Sequence, residues 1–198
     1  MKLIGSIKQV QIQRFSLKFG QKPHVTYNPS PIQVVEQLQL TSDGVVGIID
    51  GPTAIIDIHN IQHPTTHHNG GNNGISFNFT AHYQEIRQAY GEHVYDGCAG
   101  ENILIETDQH YRLADLGAGL IIERAQDQQQ VELYNLSCAV PCLEFSHFVL
   151  HRKEEPGNEQ IKHALQFLHH GQRGFYALVT EGPTKNFIQA GDRVYSAD

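Results

Sequence analysis

A mainly β fold with a few helices (α+β) is what this sequence predicts, on three observations. Apolar residues come in short β-branched runs, such as Val45-Val46-Gly47-Ile48-Ile49 and Ala54-Ile55-Ile56-Asp57-Ile58. Glycine, proline and asparagine punctuate those runs, and only two stretches repeat apolar positions at helical spacing.

Taken in order, residues 2–19 alternate roughly apolar and polar through Leu3, Ile7, Ile12, Phe15, Leu17 and Phe19, which suits one or two strands. Lys22-Pro23 and Asn28-Pro29-Ser30-Pro31 read as an irregular extended loop, because proline bars helix at the residue before it. Ile32 to Leu40 reads as one strand, and the two runs around Asp50-Gly51-Pro52 as a hairpin or strand–loop–strand. His59 to Gly74 is polar and rich in Asn, Gly and His, hence a loop. After a strand at 75–79, Thr80 is the expected N-cap of a helix through Tyr90, with Gly91 ending it; Tyr83, Ile86 and Tyr90 share its core face. Leu120 to Glu123 and Val131 to Leu136 read as paired strands. A second helix starts near Pro156-Gly157-Asn158, carries Ile161, Leu165 and Leu168, and stops at Gly171. A strand at 174–179 and a closing segment at 190–195 complete the chain.

With 198 residues, 39% of them hydrophobic, the chain suffices for one well-filled core, so a single domain over residues 1–198 is expected. A formal charge of −7, from 21 acids against 14 bases, lacks the basic stripe that phosphate backbones demand and argues against nucleic acid or an anionic membrane as partner. No apolar run approaches the roughly 20 residues of a membrane-spanning helix, and a cytoplasmic location is expected. Three cysteines, Cys98, Cys138 and Cys142, do not make a disulfide framework.

Two stretches look like a site. Asp96-Gly97-Cys98-Ala99-Gly100-Glu101-Asn102 places an acid and an amide in a glycine-rich turn before the buried run Ile103 to Ile105. Such groups must be paired, either with the chain itself or with a ligand. Some forty residues later, Pro141 fixes the backbone ahead of Cys142, so that the thiol projects in one direction. That suits a metal ligand or a persulfide carrier, while the plain alternative is a small buried hydrophobe. Cys138 fits a core or supporting position, and Cys98 either approaches a ligand or sits exposed in its turn. His63, His67 and His68 fall in a Pro- and Gly-containing stretch that does not favour helix, so solvated or ligand-facing loop histidines fit better than a zinc site. His147 and His151 would share a face only on a helix. Phosphate-loop, dinucleotide-binding and serine-hydrolase motifs are all missing.

Together these pieces resemble the MOSC domain family, named for the C-terminal part of molybdenum cofactor sulfurases, over about residues 44–195. The loop His67-His68-Asn69-Gly70-Gly71 is similar to the family's His-Gly-Gly loop with one residue inserted. Gly97 with Gly100-Glu101-Asn102-Ile103 resembles its Gly-Glu-Asn turn, and Pro141-Cys142 its Pro-Cys signature. Arg173-Gly174-Phe175-Tyr176-Ala177 and Ala190-Gly191-Asp192-Arg193-Val194 resemble its closing elements. The resemblance implies a β-barrel with a few peripheral helices and a cleft for molybdenum cofactor (molybdopterin). It implies Cys142 as molybdenum ligand or sulfur carrier, with His67, His68, Gly70, Gly71, Gly100, Glu101, Asn102 and Arg173 around the cofactor.

Three functions follow from the resemblance: a molybdenum-cofactor protein that reduces N-hydroxylated substrates as some relatives do, a persulfide sulfurtransferase, or a non-catalytic binding module. The implied partners are an electron-donor reductase or a cysteine desulfurase. The sequence departs from the family where Cys138-Ala139-Val140 replaces the usual arginine-bearing approach to Pro-Cys, and where Asn73 and Gly74 replace an acid and a base. Arg173, Arg193 and Lys185 are the candidates to restore that charge.

Overall fold

The computed structural model describes residues 1–51, 53–67, 72–151, 157–181 and 185–197. Its elements are β1 (Lys2–Gln13), β2 (Lys18–Gln21), β3 (His24–Tyr27), β4 (Ile32–Val34), β5 (Gln37–Thr41), β6 (Gly44–Ile48), β7 (Ala54–Ile56) and β8 (Ile75–Phe79). Helix α1 (Thr80–Tyr90), β9 (Ile103–Glu106), a 3-10 turn (Leu113–Leu116), β10 (Gly119–Glu123) and β11 (Gln130–Cys138) come next. Helices α2 (Leu143–Leu150) and α3 (Asn158–Phe167) precede β12 (Phe175–Val179), β13 (Asn186–Gln189) and β14 (Arg193–Ala197).

Seven strands close into a barrel, in the order β1, β14, β10, β11, β12, β8, β9 and back to β1. Every neighbouring pair is antiparallel except β8 and β9. A parallel pair needs a crossover, and α1 supplies it. Alternation decides which side chains fill the barrel: Leu120 and Ile122, Val131 and Leu133, Phe175 and Ala177 all point inward and are buried. Phe77 stacks on Phe175 at 5.2 Å between ring centroids, and Phe79 meets Phe77 edge-on at 5.8 Å. Each such ring contributes roughly 1.5–3 kcal/mol through burial.

Strand β9 is buried on both faces. Ile103 and Ile105 enter the barrel, whereas Leu104 joins Tyr83, Ile86, Phe145, Val149, Ala164 and Leu168 in a second cluster beneath the helices. The far end of β1 pairs with β4, and β13-β5-β6-β7 form a second sheet.

Several expectations are corrected. Ile32 to Leu40 is two strands, because Val35 and Glu36 turn their N–H groups to Val10 and Ile48 instead of one ladder. The proline-bearing stretch after Gln21 is a hairpin, with the Lys22–Pro23 peptide at its tip and β2 paired to β3. Thr80 is the first helical residue rather than the cap; its hydroxyl bonds Thr107 N and O, and Phe79 holds the cap position without a side-chain bond. Strand β13 was not expected. On α3 the buried residue is Ala164, joined by the C-cap Leu168, with Ile161 and Leu165 only partly covered. The stretch from Leu143 to Leu150 is helical, and His151 caps it in the left-handed region at φ 36°. Among the described residues no helix is long and apolar enough to cross a membrane.

Candidate functional site

Strands β8 and β9 run parallel and so start at the same end of the barrel, where β1, antiparallel to β9, finishes; β12 runs antiparallel to β8 and sets Tyr176 opposite Ser76. A cleft of about 340 Å³ opens there, lined by Gln13 at the end of β1, Ser76 at the start of β8, Gly100 ahead of β9, Cys142 beyond β11, and Arg173 and Tyr176 at the start of β12. Lys18 and Tyr27 of the hairpin and His59, His67 and Asn73 of the long loop complete its wall.

Cys142 is the N-cap residue of α2, with extended φ −107° and ψ 156°, and its carbonyl accepts from Ser146 N–H and Oγ–H at 3.0 Å each. The helix N-terminus and the rigid proline before it fix where the half-buried thiol points. Lys18 lies beside it, 2.9 Å from Glu144 of the same helix. Burial works against the Lys18 charge, but Glu144 and Cys142 together hold its pKa above the ordinary lysine value.

Arg173 is the second cation of the cleft. One guanidinium N–H donates to Ala99 O at 2.8 Å, the group lies 5.1 Å over the Phe145 ring, and its Nε is buried without a hydrogen-bond partner among the described residues. Burial opposes the charge here too, yet Tyr27, Tyr176 and Cys142 push its pKa up. Gly174 takes φ +119° with Phe77 O only 2.9 Å from where a Cβ would sit, and Phe175 enters the core while Arg173 and Tyr176 line the cleft.

Gly100 lines the cleft because nothing larger fits: at φ +85° a Cβ would lie 2.6 Å from Gln13 Nε2 and 2.7 Å from Leu17. Gly100→Ala is expected to cost about 1–3 kcal/mol and to displace Gln13, which donates to Gly100 O at 2.6 Å; chemical denaturation checks the first and a crystal structure the second.

Glu101 and Asn102 do not line the cleft. Each is 2% exposed and turns inward. Ala99 N–H donates to Tyr83 Oη at 3.0 Å, and Tyr83 O–H donates to Glu101 at 2.8 Å, leaving Glu101 Oε1 without a partner among the described residues. Burial, against the pull of Tyr83 and Arg173, raises the Glu101 pKa to about 7. Asn102 Oδ1 accepts from Ser76 N–H and Oγ–H at 3.0 and 2.9 Å, and its amide donates to Gln11 O and to Asp57 Oδ2 at 3.3 and 3.1 Å. Asp57, itself fully buried, also accepts from Gln13 N–H at 2.7 Å and from His59 N–H at 2.8 Å.

Of the residues singled out from sequence, Cys142, His67, Gly100 and Arg173 meet in the cleft, while His68, Gly70 and Gly71 lie outside the described residues. Cys98 is fully buried among the helix-side residues, not exposed in its turn, and burial pushes its thiol well up. Arg193 pairs with Glu123 at 3.0 Å, Lys185 is exposed beside β13, and neither lines the cleft, so neither restores the missing charge there. His147 and His151 are joined through the backbone of α2, and among the described residues no three His, Cys, Asp or Glu side chains are placed to hold a metal together. Lys18, Tyr27 and His59 escaped the sequence reading. Only the Asp57-Ile58-His59 spacing carried any signal.

The MOSC domain model matches residues 64–195. The YuaD protein from Bacillus subtilis is similar in fold, at TM-score 0.54 and 12% identity over 96% of this chain and 93% of that one. A crystallised hypothetical protein gives TM-score 0.53 at 12% identity, over 98% of this chain and 67% of that one. YiiM from Escherichia coli gives 0.46 at 13%, over 84% and 65%. No curated protein matches the sequence.

Proposed function

This chain belongs to the MOSC domain family, and from that premise we propose that its cleft binds molybdenum cofactor with Cys142 as the sulfur ligand and reduces N-hydroxylated substrates. The supporting observation is the convergence of a proline-oriented thiol and two cations, Lys18 and Arg173, on one cleft of about 340 Å³. That volume lies in the range of roughly 300–1,000 Å³ usual for small-molecule sites.

The residues fit such a group. Thiolate is a strong sulfur donor able to ligate a transition metal, and the Nε of Arg173, without a partner among the described residues, is a buried donor that a pterin phosphate would satisfy. Lys18 and Arg173 are the cations that line this cleft. When bound, the cofactor supplies two-electron chemistry at its metal. The chain's own part is to hold it: Cys142 gives the sulfur, Arg173 and Lys18 attract the anion, and Gly100 lets it approach the backbone.

Expression in a cofactor-producing host tests this. Molybdenum and pterin should co-purify with the wild type and fall about tenfold or more in Cys142→Ala. Absence of both molybdenum and pterin from wild type and variant alike overturns the assignment.

One observation favours a second reading, a persulfide carrier. Val140 and Leu143, on either side of the Pro-Cys pair, are 73% and 51% exposed, which leaves the sulfur reachable by another protein. Cys142 as thiolate would attack the outer sulfur of a desulfurase persulfide; the donor S–S bond breaks, Cys142–S–S⁻ forms and the donor cysteine leaves as thiol, with no net redox change. Mass spectrometry after incubation with desulfurase and cysteine should then find one added sulfur on Cys142, and an unmodified Cys142 rules the carrier out.

A further inference from the structure

We propose that His59 is the proton-transferring residue of the cleft, held in position by Asp57 and, behind it, by Asn102. The inference rests on the reductase reading for its substrate, but its geometric basis stands apart from any cofactor.

Asp57 is fully buried and each of its carboxylate oxygens has two donors. Oδ2 accepts from Gln13 N–H at 2.7 Å and from the Asn102 amide at 3.1 Å. Oδ1 accepts from His59 N–H at 2.8 Å and faces His59 Nδ1 at 3.1 Å. An ionised carboxylate only accepts, so the ring proton at this contact belongs to Nδ1. That leaves Nε2 as the nitrogen free to act. Among the described residues nothing hydrogen-bonds Nε2, and the ring, 24% exposed, lines the same cleft as Cys142.

A buried acid fixing one ring nitrogen while the other faces a ligand space is the base-and-orienter arrangement that lets histidine take and return a proton at a defined atom. A purely local role explains less. The bond from His59 N–H to Asp57 makes a tight turn, and any residue at 59 could donate it. The turn gives no reason for an imidazole aimed at the cleft. Nor does it explain why the amide of the Gly-Glu-Asn turn, anchored by Ser76 N–H and Oγ–H, extends to Asp57.

In the reaction R–NH–OH + 2 e⁻ + 2 H⁺ → R–NH₂ + H₂O, the N–O bond breaks and the substrate nitrogen is reduced, while an electron-donor protein is oxidised. Carrying a proton on Nε2, His59 would give it to the departing oxygen, while the Nδ1 proton stays on the ring, hydrogen-bonded to Asp57. Solvent supplies the second proton and later restores the first. A positioned acid of this kind contributes about 10²–10⁴-fold.

The test has two arms. Long-range ¹H–¹⁵N spectra of ¹⁵N-histidine-labelled wild type, free of cofactor, should show neutral His59 protonated at Nδ1 with bare Nε2; protonation at Nε2 overturns the proposal. In cofactor-loaded protein, His59→Gln should keep molybdenum and pterin content but reduce phenylhydroxylamine, with reduced methyl viologen as donor, about 10²-fold more slowly. His59→Ala should regain part of that loss on addition of imidazole, which a merely structural defect would not. Turnover of His59→Gln within about threefold of wild type overturns the proposal. Should the wild type carry no cofactor, the reductase reading falls by that measurement, and the tautomer alone decides the Asp57–His59 pair.

Discussion

Asp57→Ala is expected to lower the unfolding free energy by about 3–5 kcal/mol. The carboxylate stands between three segments distant in sequence: the end of β1 through Gln13, the turn before β9 through Asn102, and the start of the long loop through His59. Alanine removes the acceptor and leaves Gln13 N–H, His59 N–H and one Asn102 amide hydrogen facing no partner in a buried space, at roughly 1–3 kcal/mol for each that water cannot reach. Asn at the same position is no rescue. Both carboxylate oxygens receive a backbone N–H, so an amide NH₂ must oppose a donor whichever way it flips. Urea denaturation at neutral pH measures the loss, and a decrease below about 1 kcal/mol would show that the network is not what holds the three segments together.

Asp57 also shows why part of the site could be read from sequence and part could not. Gly-Glu-Asn and Pro-Cys are contiguous, and each carries its own local reason: positive φ at Gly100, a fixed approach to the thiol at Pro141. The barrel was legible for a similar reason, since two-residue alternation in Leu120 to Ile122 and Val131 to Leu133 is written in the chain itself. Lys18 has no such signal. It reaches the cleft because the hairpin packs its Tyr27 against Phe145 and Phe148 of α2, a contact between distant residues. His59 likewise gains meaning only when Gln13 and Asn102 close around Asp57. Asn102 itself was legible as a polar group needing partners, but not that those partners would be Ser76, Gln11 and Asp57 rather than a ligand.

Glu101 supplies the second large effect, and its sign is unusual for a carboxylate. Burial raises its pKa from 4.5 to about 7, because the hydrogen bond from Tyr83 and the field of Arg173 do not offset the loss of water around the charge. The folded protein therefore holds this proton more tightly than the unfolded chain does. The contribution is in full force below about 4.5 and is lost as pH rises through about 7, amounting to about 3 kcal/mol. Glu101→Gln keeps an acceptor for Tyr83 and removes the ionisation. Its stability should match the wild type near pH 5 and exceed it by about 2–3 kcal/mol at pH 8. Denaturation curves across that range check this, and parallel profiles for the two proteins would refute it. The same ionisation bears on the cleft. An anionic Glu101 adds negative charge within the field of Arg173, so Arg173 should hold an anionic ligand less firmly above pH 7 than below it, and the wild type should lose ligand affinity over the interval in which Glu101→Gln does not.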